Sequence, residues 1–111
     1  MQYALLIHND PGEMDGLDDE QRQQLSAEYY AIRDLPGCVG GGHLQPAETA
    51  TTVRVQDGQS LITDGPFANT KEVFGGYYVF DGEDLDKVLE IAATVPAARR
   101  GGAVEVRAIV G

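Results

Sequence analysis

The chain is organised around residues 61–76, which read LITDGPFANTKEVFGG. The apolar pair at 61–62 indicates a strand, and Asp64-Gly65-Pro66 after it predicts a turn. Asp bonds its own downstream backbone, Gly accepts positive φ, and Pro holds φ at about −65°. The residue before a proline also avoids the helical conformation. The polar side chains that follow lie between two strands, on the kind of loop that often carries function, so we expect a pocket here.

The composition predicts a single acidic domain. A chain of 111 residues has the size of one domain. It buries roughly 65% of its unfolded surface, enough for a core without metal or disulfide links. Eighteen acidic and 8 basic residues give a formal charge of −10. Nucleic acids and anionic membranes attract clusters of Lys and Arg, which this chain lacks, so neither is an expected partner.

The cysteine and histidine content argues against several kinds of site. Cys38 is the sole cysteine, so an intramolecular disulfide and a Cys-based zinc site are excluded. His8 and His43 lack metal-ligating spacing, and the glycines at 40–42 lack the context of a nucleotide-binding loop; we expect no metal and no cofactor. Residues 1–7 show no signal-peptide features, and no apolar run approaches the ~20 residues of a membrane span. A cytoplasmic protein is expected.

Short apolar or alternating runs predict six strands, because Gly, Pro, Asn and Asp clusters bound them. The predicted strands cover residues 2–8, 38–44, 51–55, 60–63, 76–80 and 103–110. Asp57-Gly58 is the signature of a tight turn, so the third and fourth strands should pair as an antiparallel hairpin. The glycines at 40–42 weaken the second strand and indicate a bulge or the close approach of another group.

Two segments carry the apolar spacing of helices. The first is expected to begin after the N-cap Asp18, with Gln21 completing a capping box, and to end before residues 35–37. The second is expected to be capped by Asp81 and to end at Pro96. Strand–helix–strand, hairpin, strand–helix–strand is the ferredoxin-like α+β pattern with an inserted hairpin.

Apolar residues on both faces of the predicted sheet indicate a dimer. Two helices can cover only one face, yet apolar side chains point to both faces along residues 3–7 and 77–80. Burying a large apolar side chain contributes ~1.5–3 kcal/mol, and several exposed together would form an adhesive patch. We expect a second subunit on the helix-free face, most simply in a two-fold homodimer.

Six short motifs complete the sequence pattern. In chain order they are Leu5-Leu6-Ile7, Thr52-Val53-Arg54, Thr63-Asp64-Gly65-Pro66-Phe67, Thr70-Lys71-Glu72, Gly75-Gly76-Tyr77 and Val104-Glu105-Val106-Arg107. Together they resemble the DGPF branch of the YCII-related family, as one domain over residues 1–111. The resemblance implies a ferredoxin-like subunit of a dimeric α/β barrel.

The same resemblance implies no single activity. Some relatives are enzymes, including a dehydrochlorinase, with a proposed His/Asp active-site pair. Many DGPF proteins are encoded beside extracytoplasmic-function sigma factors. The relatives' candidate histidine lies at the start of the first helix, whereas residues 18–34 contain none here. Only the motif residues therefore transfer position by position.

His43 and Asp64 are the candidate catalytic residues. His43 follows three glycines that let another group approach, and a histidine can exchange protons at neutral pH; the alternative is a structural or exposed side chain. Asp64 is either a carboxylate that acts as a base or orients the histidine, or a turn cap bonding the amides after Pro66. In a catalytic protein we expect lyase or isomerase-type chemistry, with His43 exchanging the proton.

Six further residues are candidates for substrate binding: Arg54, Tyr30, Phe67, Lys71, Glu72 and His8. Arg54 either binds an anion or pairs with a carboxylate such as Glu72. Lys71 and Glu72 either serve the pocket or form a solvated pair worth ~0–1 kcal/mol. Tyr30 and His8 line a cleft or remain at the surface.

Two functions follow from these alternatives. The first is a small-molecule-binding protein or enzyme with a polar cleft in a dimeric barrel. The second is a non-catalytic regulatory protein, for instance a partner of a sigma factor, whose basic face would meet the acidic surface of this chain.

Overall fold

Residues 1–68 and 70–111 are described by the computed structural model of the protein. Its elements in chain order are β1 (Gln2–Asn9), α1 (Asp19–Arg33), β2 (Cys38–His43), a 3₁₀ turn (Ala47–Thr49), β3 (Thr51–Gln56), β4 (Gln59–Asp64), β5 (Val73–Asp81), α2 (Leu85–Thr94), α3 (Pro96–Arg99) and β6 (Ala103–Ala108).

The strands form a sheet and a separate hairpin. The sheet is four-stranded and antiparallel, in the order β2-β5-β1-β6, which is the ferredoxin-like arrangement and confirms the predicted α+β class. Among the described residues, β3 and β4 pair only with each other, across a turn at Asp57-Gly58. These two residues have positive φ values of 51° and 76°, so the predicted tight hairpin turn is confirmed.

The predicted start of α1 is also confirmed. The Asp18 side chain accepts a hydrogen bond from the Gln21 N–H at 2.8 Å, and the Gln21 side chain accepts one from the Asp18 N–H at 3.0 Å. Such a box satisfies two backbone donors, and an N-cap typically contributes ~1 kcal/mol. Asp19 and Glu20 lie in the first turn and Arg33 in the last, where the helix dipole favours these charges.

The predicted cap of the second helix at Asp81 is wrong. Asp81 is the last residue of β5 and pairs with Gln2 of β1, so strand pairing extends past the point where the sequence indicates a helix. The cap is Asp84, whose side chain accepts from the Asp86 N–H at 2.9 Å. Pro96 does follow the end of α2, and it begins the short α3, where its missing N–H costs no hydrogen bond.

Strands β2 and β5 test two details of the prediction. A register shift between Cys38 and Gly40 of β2 confirms the predicted bulge. β5 begins at Val73 rather than at residue 76, so it runs beside β1 as far as Asn9. The end of β1 and the start of β5 therefore lie side by side at one end of the sheet.

The core lies between the helices and one face of the sheet. Alternate residues of β1 and β5 supply its centre, where Leu5 is 0% and Phe80 is 1% exposed. Its members are Tyr3, Leu5, Ile7, Ile32, Tyr78, Phe80, Val88, Ala92, Val95 and Ala97. None of the helices within the described residues has the length and apolar character needed to cross a bilayer.

The helix-free face and the β3–β4 hairpin carry exposed apolar side chains. Tyr77 alternates with the core residue Tyr78 and remains 38% exposed. On the hairpin, Val53, Val55 and Ile62 are 60%, 71% and 70% exposed. Val53 lies directly opposite Ile62 in the pairing, so these side chains form one apolar patch.

Candidate functional site

A cavity of about 450 Å³ lies between α1, the loop after β1, and the ends of β2 and β5. Its volume falls within the range of small-molecule sites, ~300–1,000 Å³. The walls are one face of α1, the polar loop at residues 10–14, and the glycine-rich strand segments at residues 42–43 and 75–78. The cavity therefore adjoins the end of the 61–76 stretch, at Gly75 and Gly76, and not its turn.

A buried carboxylate forms one wall of this cavity. Glu13 is 8% exposed. The Tyr29 hydroxyl donates to its two oxygens at 2.9 and 3.0 Å, and the Asn9 side-chain amide lies 3.4 Å from both. The same amide donates to the Tyr29 hydroxyl at 3.2 Å. Burying a carboxylate is costly unless its oxygens are hydrogen-bonded, and the residues Asn9, Glu13 and Tyr29, called the acid cluster below, provide those bonds.

Burial sets the protonation of the two phenols beside the cavity. Burial, followed by the negative charge of Glu13 and the hydrogen bond to it, raises the pKa of Tyr29 well above its ordinary value. Burial, with the nearby Cys38, raises the pKa of Tyr78 to about 12, and the charge of Arg33 opposes that rise. Both phenols are therefore neutral hydrogen-bond donors at physiological pH, and Tyr78 donates to the Tyr29 carbonyl oxygen at 2.6 Å.

The loop that carries Glu13 is held by the turn before β6. Nη2 and Nε of Arg100 donate to the Glu13 carbonyl oxygen at 3.0 and 3.4 Å. At Gly102, a Cβ atom would lie 2.2 Å from the His8 carbonyl oxygen, so only glycine lets the turn approach the end of β1 this closely. Residues distant in sequence thus fix the position of the buried carboxylate.

Glycine also makes room for the amide of the acid cluster. A Cβ atom on Gly75 would lie 2.0 Å from the Asn9 side-chain oxygen. The start of β5 therefore accommodates the Asn9 side chain only because residue 75 has no side chain. The amide nitrogen of Asn9 is then directed towards Glu13 and Tyr29.

Of the residues predicted from the sequence, His43 and Tyr30 line the cavity. His43 is the last residue of β2 and pairs with Gly76. Tyr30 lies on α1 next to Tyr29 and is 61% exposed. Arg33, four residues after Tyr29 and on the same helical face, also lines the cavity. No carboxylate within the described residues lies within 4.0 Å of its guanidinium.

The other predicted residues lie outside the cavity lining: Arg54, Asp64, Phe67, Lys71, Glu72 and His8. The Arg54 guanidinium stacks 4.7 Å from the Phe67 ring centre, and in the described chain it forms no ion pair with Glu72. His8 lies 3.3 Å from a Glu105 oxygen, at the sheet surface. Lys71 is exposed, and Glu72 is half-buried.

The Asp64 turn is fastened by its backbone. Asp64 ends β4 opposite Thr51 and is exposed. The Gly65 N–H donates to the Ala50 carbonyl at 2.7 Å, and the Thr52 hydroxyl donates to the Gly65 carbonyl at 2.7 Å. Within residues 1–68 and 70–111 the Asp64 carboxylate accepts no hydrogen bond. Gly65 has a φ of 103°, as the predicted turn requires.

Sequence reasoning did not single out Asn9, Glu13, Tyr29 and Arg33. In the sequence Glu13 is one of several acidic residues in a polar stretch, and Tyr29 has the helical spacing of a core residue on α1. A usable signal existed: Tyr29 and Arg33 are one helical turn apart, and the Asn9-to-Gly12 turn folds the next residue back towards the sheet. Across the residues the structure describes, no group of three or more His, Cys, Asp or Glu side chains is arranged to hold a metal ion.

Comparisons with known proteins agree with this fold. The model of the YCII-related domain matches residues 1–111. An uncharacterized protein of Rhizobium meliloti (strain 1021) is 32% identical over 112 residues, covering 96% of this chain and 90% of that protein. Among solved structures, 5-chloro-2-hydroxyhydroquinone dehydrochlorinase (TftG) from Burkholderia phenoliruptrix AC1100, in complex with 2,5-dihydroxybenzoquinone, is similar with a TM-score of 0.54. It is 17% identical, and the match covers 99% of this chain and 94% of that one. The chain belongs to the YCII-related domain family.

Proposed function

We propose that the protein binds a small organic molecule in this cavity and acts on it by general acid–base catalysis, in a reaction of the lyase or isomerase type. The observation that carries this proposal is the buried carboxylate of Glu13, hydrogen-bonded to Tyr29 and Asn9 in a cavity that also reaches His43. A fold gains little stability from burying a carboxylate. Buried ionisable groups in clefts are therefore candidates for function.

The residues divide into acid and base roles. Glu13 accepts hydrogen bonds and is placed to remove a proton from a ligand. Tyr29 keeps its own proton because its pKa is raised, so it donates to developing negative charge. His43, across the cavity, exchanges the second proton. In an elimination the base removes a proton, the leaving group departs with its electron pair, and an acid neutralises it; an isomerisation needs only the two proton transfers.

The similar solved structure supports a ring-sized ligand. That protein is a dehydrochlorinase, and its complex contains 2,5-dihydroxybenzoquinone. The cavity here, about 450 Å³ and partly lined by tyrosine rings, offers apolar surfaces and a few hydrogen-bonding groups, the usual composition of such sites.

We also propose a two-fold homodimer formed through the helix-free face and the β3–β4 hairpin. An isolated two-stranded hairpin is marginally stable in water, and its exposed patch of Val53, Val55 and Ile62 favours a covering partner. Light scattering should give twice the 11.9 kDa subunit mass, and Val55→Lys with Ile62→Lys should shift it towards the monomer. A monomeric wild type would overturn this part of the proposal.

The proposed dimer determines whether the motif residues can reach a cavity. Arg54, Asp64 and Phe67 lie outside the cavity of their own subunit, so in this proposal they reach a cavity only across the interface. The predicted partnership of Asp64 with His43, and the binding roles of Lys71, Glu72 and His8, stay predictions.

Native mass spectrometry tests the binding proposal. The purified protein is incubated with a metabolite extract, desalted and analysed as wild type, Glu13→Gln, His43→Ala and Lys87→Gln. Wild type and the Lys87→Gln control, on α2 away from the cavity, should retain a small molecule, and both cavity variants should lose it at unchanged secondary structure. Equal retention by all four proteins, or none by wild type, would argue against this cavity as the site.

A regulatory role is the alternative function. Two observations favour it: the formal charge of −10 and the exposed apolar hairpin patch. A purified extracytoplasmic-function sigma factor should then co-elute with the protein at low salt and separate at high salt, because exposed charges are screened. Independent elution at both salt concentrations would remove this alternative. With either function we propose a cytoplasmic location, which stays a prediction from the sequence.

A further inference from the structure

We infer that the ligand of this cavity is a small, planar, hydroxylated monocarboxylate, bound with its carboxylate on Arg33 and its hydroxyl on Glu13. The inference rests on the proposed binding function and names the ligand class and its orientation. It follows from three features of the cavity lining: a cation on the last turn of α1, a buried carboxylate held by Tyr29 one turn earlier, and tyrosine side chains on the same helix.

Arg33 supplies the anion-binding end. It lines the cavity on the last turn of α1. Within the described residues it has no carboxylate within 4.0 Å, although 18 of the 111 residues are acidic. Its charge lowers the pKa of Tyr78 against the effect of burial, which agrees with its position at the cavity wall. A planar guanidinium binds a carboxylate through two parallel hydrogen bonds.

Glu13 supplies the opposite end. An ionised carboxylate has about four acceptor positions, and Tyr29 and Asn9 occupy only part of them. A neutral hydroxyl satisfies a remaining position, whereas a second anion would be repelled there. Charge therefore orients the ligand, with its hydroxyl at Glu13 and its anionic group at Arg33.

The two ends are anchored at different turns of α1. Tyr29, which holds Glu13, and Arg33 are one turn apart on α1, roughly 6 Å along the axis. The rings of Tyr29 and Tyr30 belong to the same wall, and aromatic rings stack on or contact planar ligands. A planar ring that carries a carboxylate and a hydroxyl offers one group to each end.

Isothermal titration calorimetry with three probes tests the inference: 4-hydroxybenzoate, its neutral amide 4-hydroxybenzamide, and benzoate, which lacks the hydroxyl. At neutral pH the first carries an ionised carboxylate and a neutral phenol. Wild type should bind 4-hydroxybenzoate at least about tenfold more tightly than the amide, the usual effect of a charged hydrogen bond. Benzoate should also bind more weakly than 4-hydroxybenzoate.

Matched variants assign each difference to its residue. Arg33→Gln should bring the acid-to-amide ratio close to one and leave the affinity for the amide unchanged. Lys87→Gln, which removes the same charge from α2, should keep the wild-type ratio. Glu13→Gln should reduce the advantage of 4-hydroxybenzoate over benzoate.

Failure of the inference is distinguishable from failure of the proposed function. Equal affinity for acid and amide, or a ratio that Arg33→Gln does not change, overturns the inference while a retained metabolite still supports the cavity as a site. Absence of binding by all three probes overturns it as well, and absence of any retained metabolite in the mass spectra then removes the proposed function too.

Discussion

Replacing Tyr29 with phenylalanine removes one hydroxyl from the acid cluster and leaves the ring in place. That hydroxyl donates to the two Glu13 oxygens at 2.9 and 3.0 Å, and the remaining Asn9 amide lies at a long 3.4 Å. A hydrogen bond to a charged group contributes about 1.5–3 kcal/mol, and its loss leaves a buried carboxylate under-satisfied. We expect Tyr29→Phe to lower the free energy of unfolding by about 2–3 kcal/mol. For a domain of this size, the melting temperature should fall by roughly 5–15 °C.

Urea unfolding followed by circular dichroism measures this change, at one fixed protein concentration because a dimer's stability depends on it. The adjacent Tyr30→Phe is the matched control: the same atom is removed from a side chain that is 61% exposed, so its effect should stay within about 0.5 kcal/mol. The double variant Tyr29→Phe with Glu13→Gln should recover part of the loss, because the side chain left without the hydroxyl is then an uncharged amide. Equal effects of the two tyrosine variants, or strictly additive loss in the double variant, would refute the reasoning.

Three further predictions concern the same region. Stability should fall as the pH rises from about 10 to about 12, because the unfolded chain loses the Tyr29 and Tyr78 protons at about 10, whereas the folded chain keeps the Tyr78 proton up to about 12 and the Tyr29 proton beyond that. The Tyr78 share of the loss is about 2–3 kcal/mol, so Tyr78→Phe should reduce the loss by that amount in urea titrations at fixed pH and leave the share of Tyr29. Arg100→Gln should weaken retention of the cavity ligand, although Arg100 is not a lining residue, and should speed amide hydrogen exchange at residues 10–16. Unchanged exchange at these residues would contradict a positioning role for Arg100. Gly75→Ala places a methyl group 2.0 Å from the Asn9 side-chain oxygen, so it should lower the melting temperature more than Gly40→Ala in β2, whose Cβ would lie 4.0 Å from the Val79 Cβ, an ordinary contact.

Local chemistry made much of the fold predictable. The Asp18–Gln21 box and the Asp57-Gly58 turn each depend on a few neighbouring residues, so the sequence specifies them directly. The predicted cap at Asp81 failed because pairing with Gln2, far away in sequence, keeps that residue in β5. Asp84 then takes the capping role. Boundaries set by tertiary pairing are not visible in local spacing.

In the candidate site, too, residues with recognisable local chemistry could be predicted, and residues positioned by tertiary contacts could not. His43 and Tyr30 were found because a histidine and a tyrosine carry recognisable chemistry. Glu13 resembled any surface acid, since the side chain that holds its backbone carbonyl, Arg100, is 87 residues away along the chain. Tyr29 has the spacing of a core residue on the apolar face of α1. Helical periodicity predicts where a ring points, and it gives no information about what its hydroxyl meets.

The acid cluster is better explained by function than by stability. The main core is apolar and lies on the helix-covered face of the sheet, whereas Glu13 lies in a loop, where a neutral side chain would avoid the desolvation penalty of a carboxylate. The chain nevertheless supplies Tyr29, Asn9, an absent side chain at residue 75 and the Arg100 contact around this carboxylate. The fold does not need this carboxylate, yet four features of the chain hold it in a fixed position. We conclude that the carboxylate is positioned to act on a ligand.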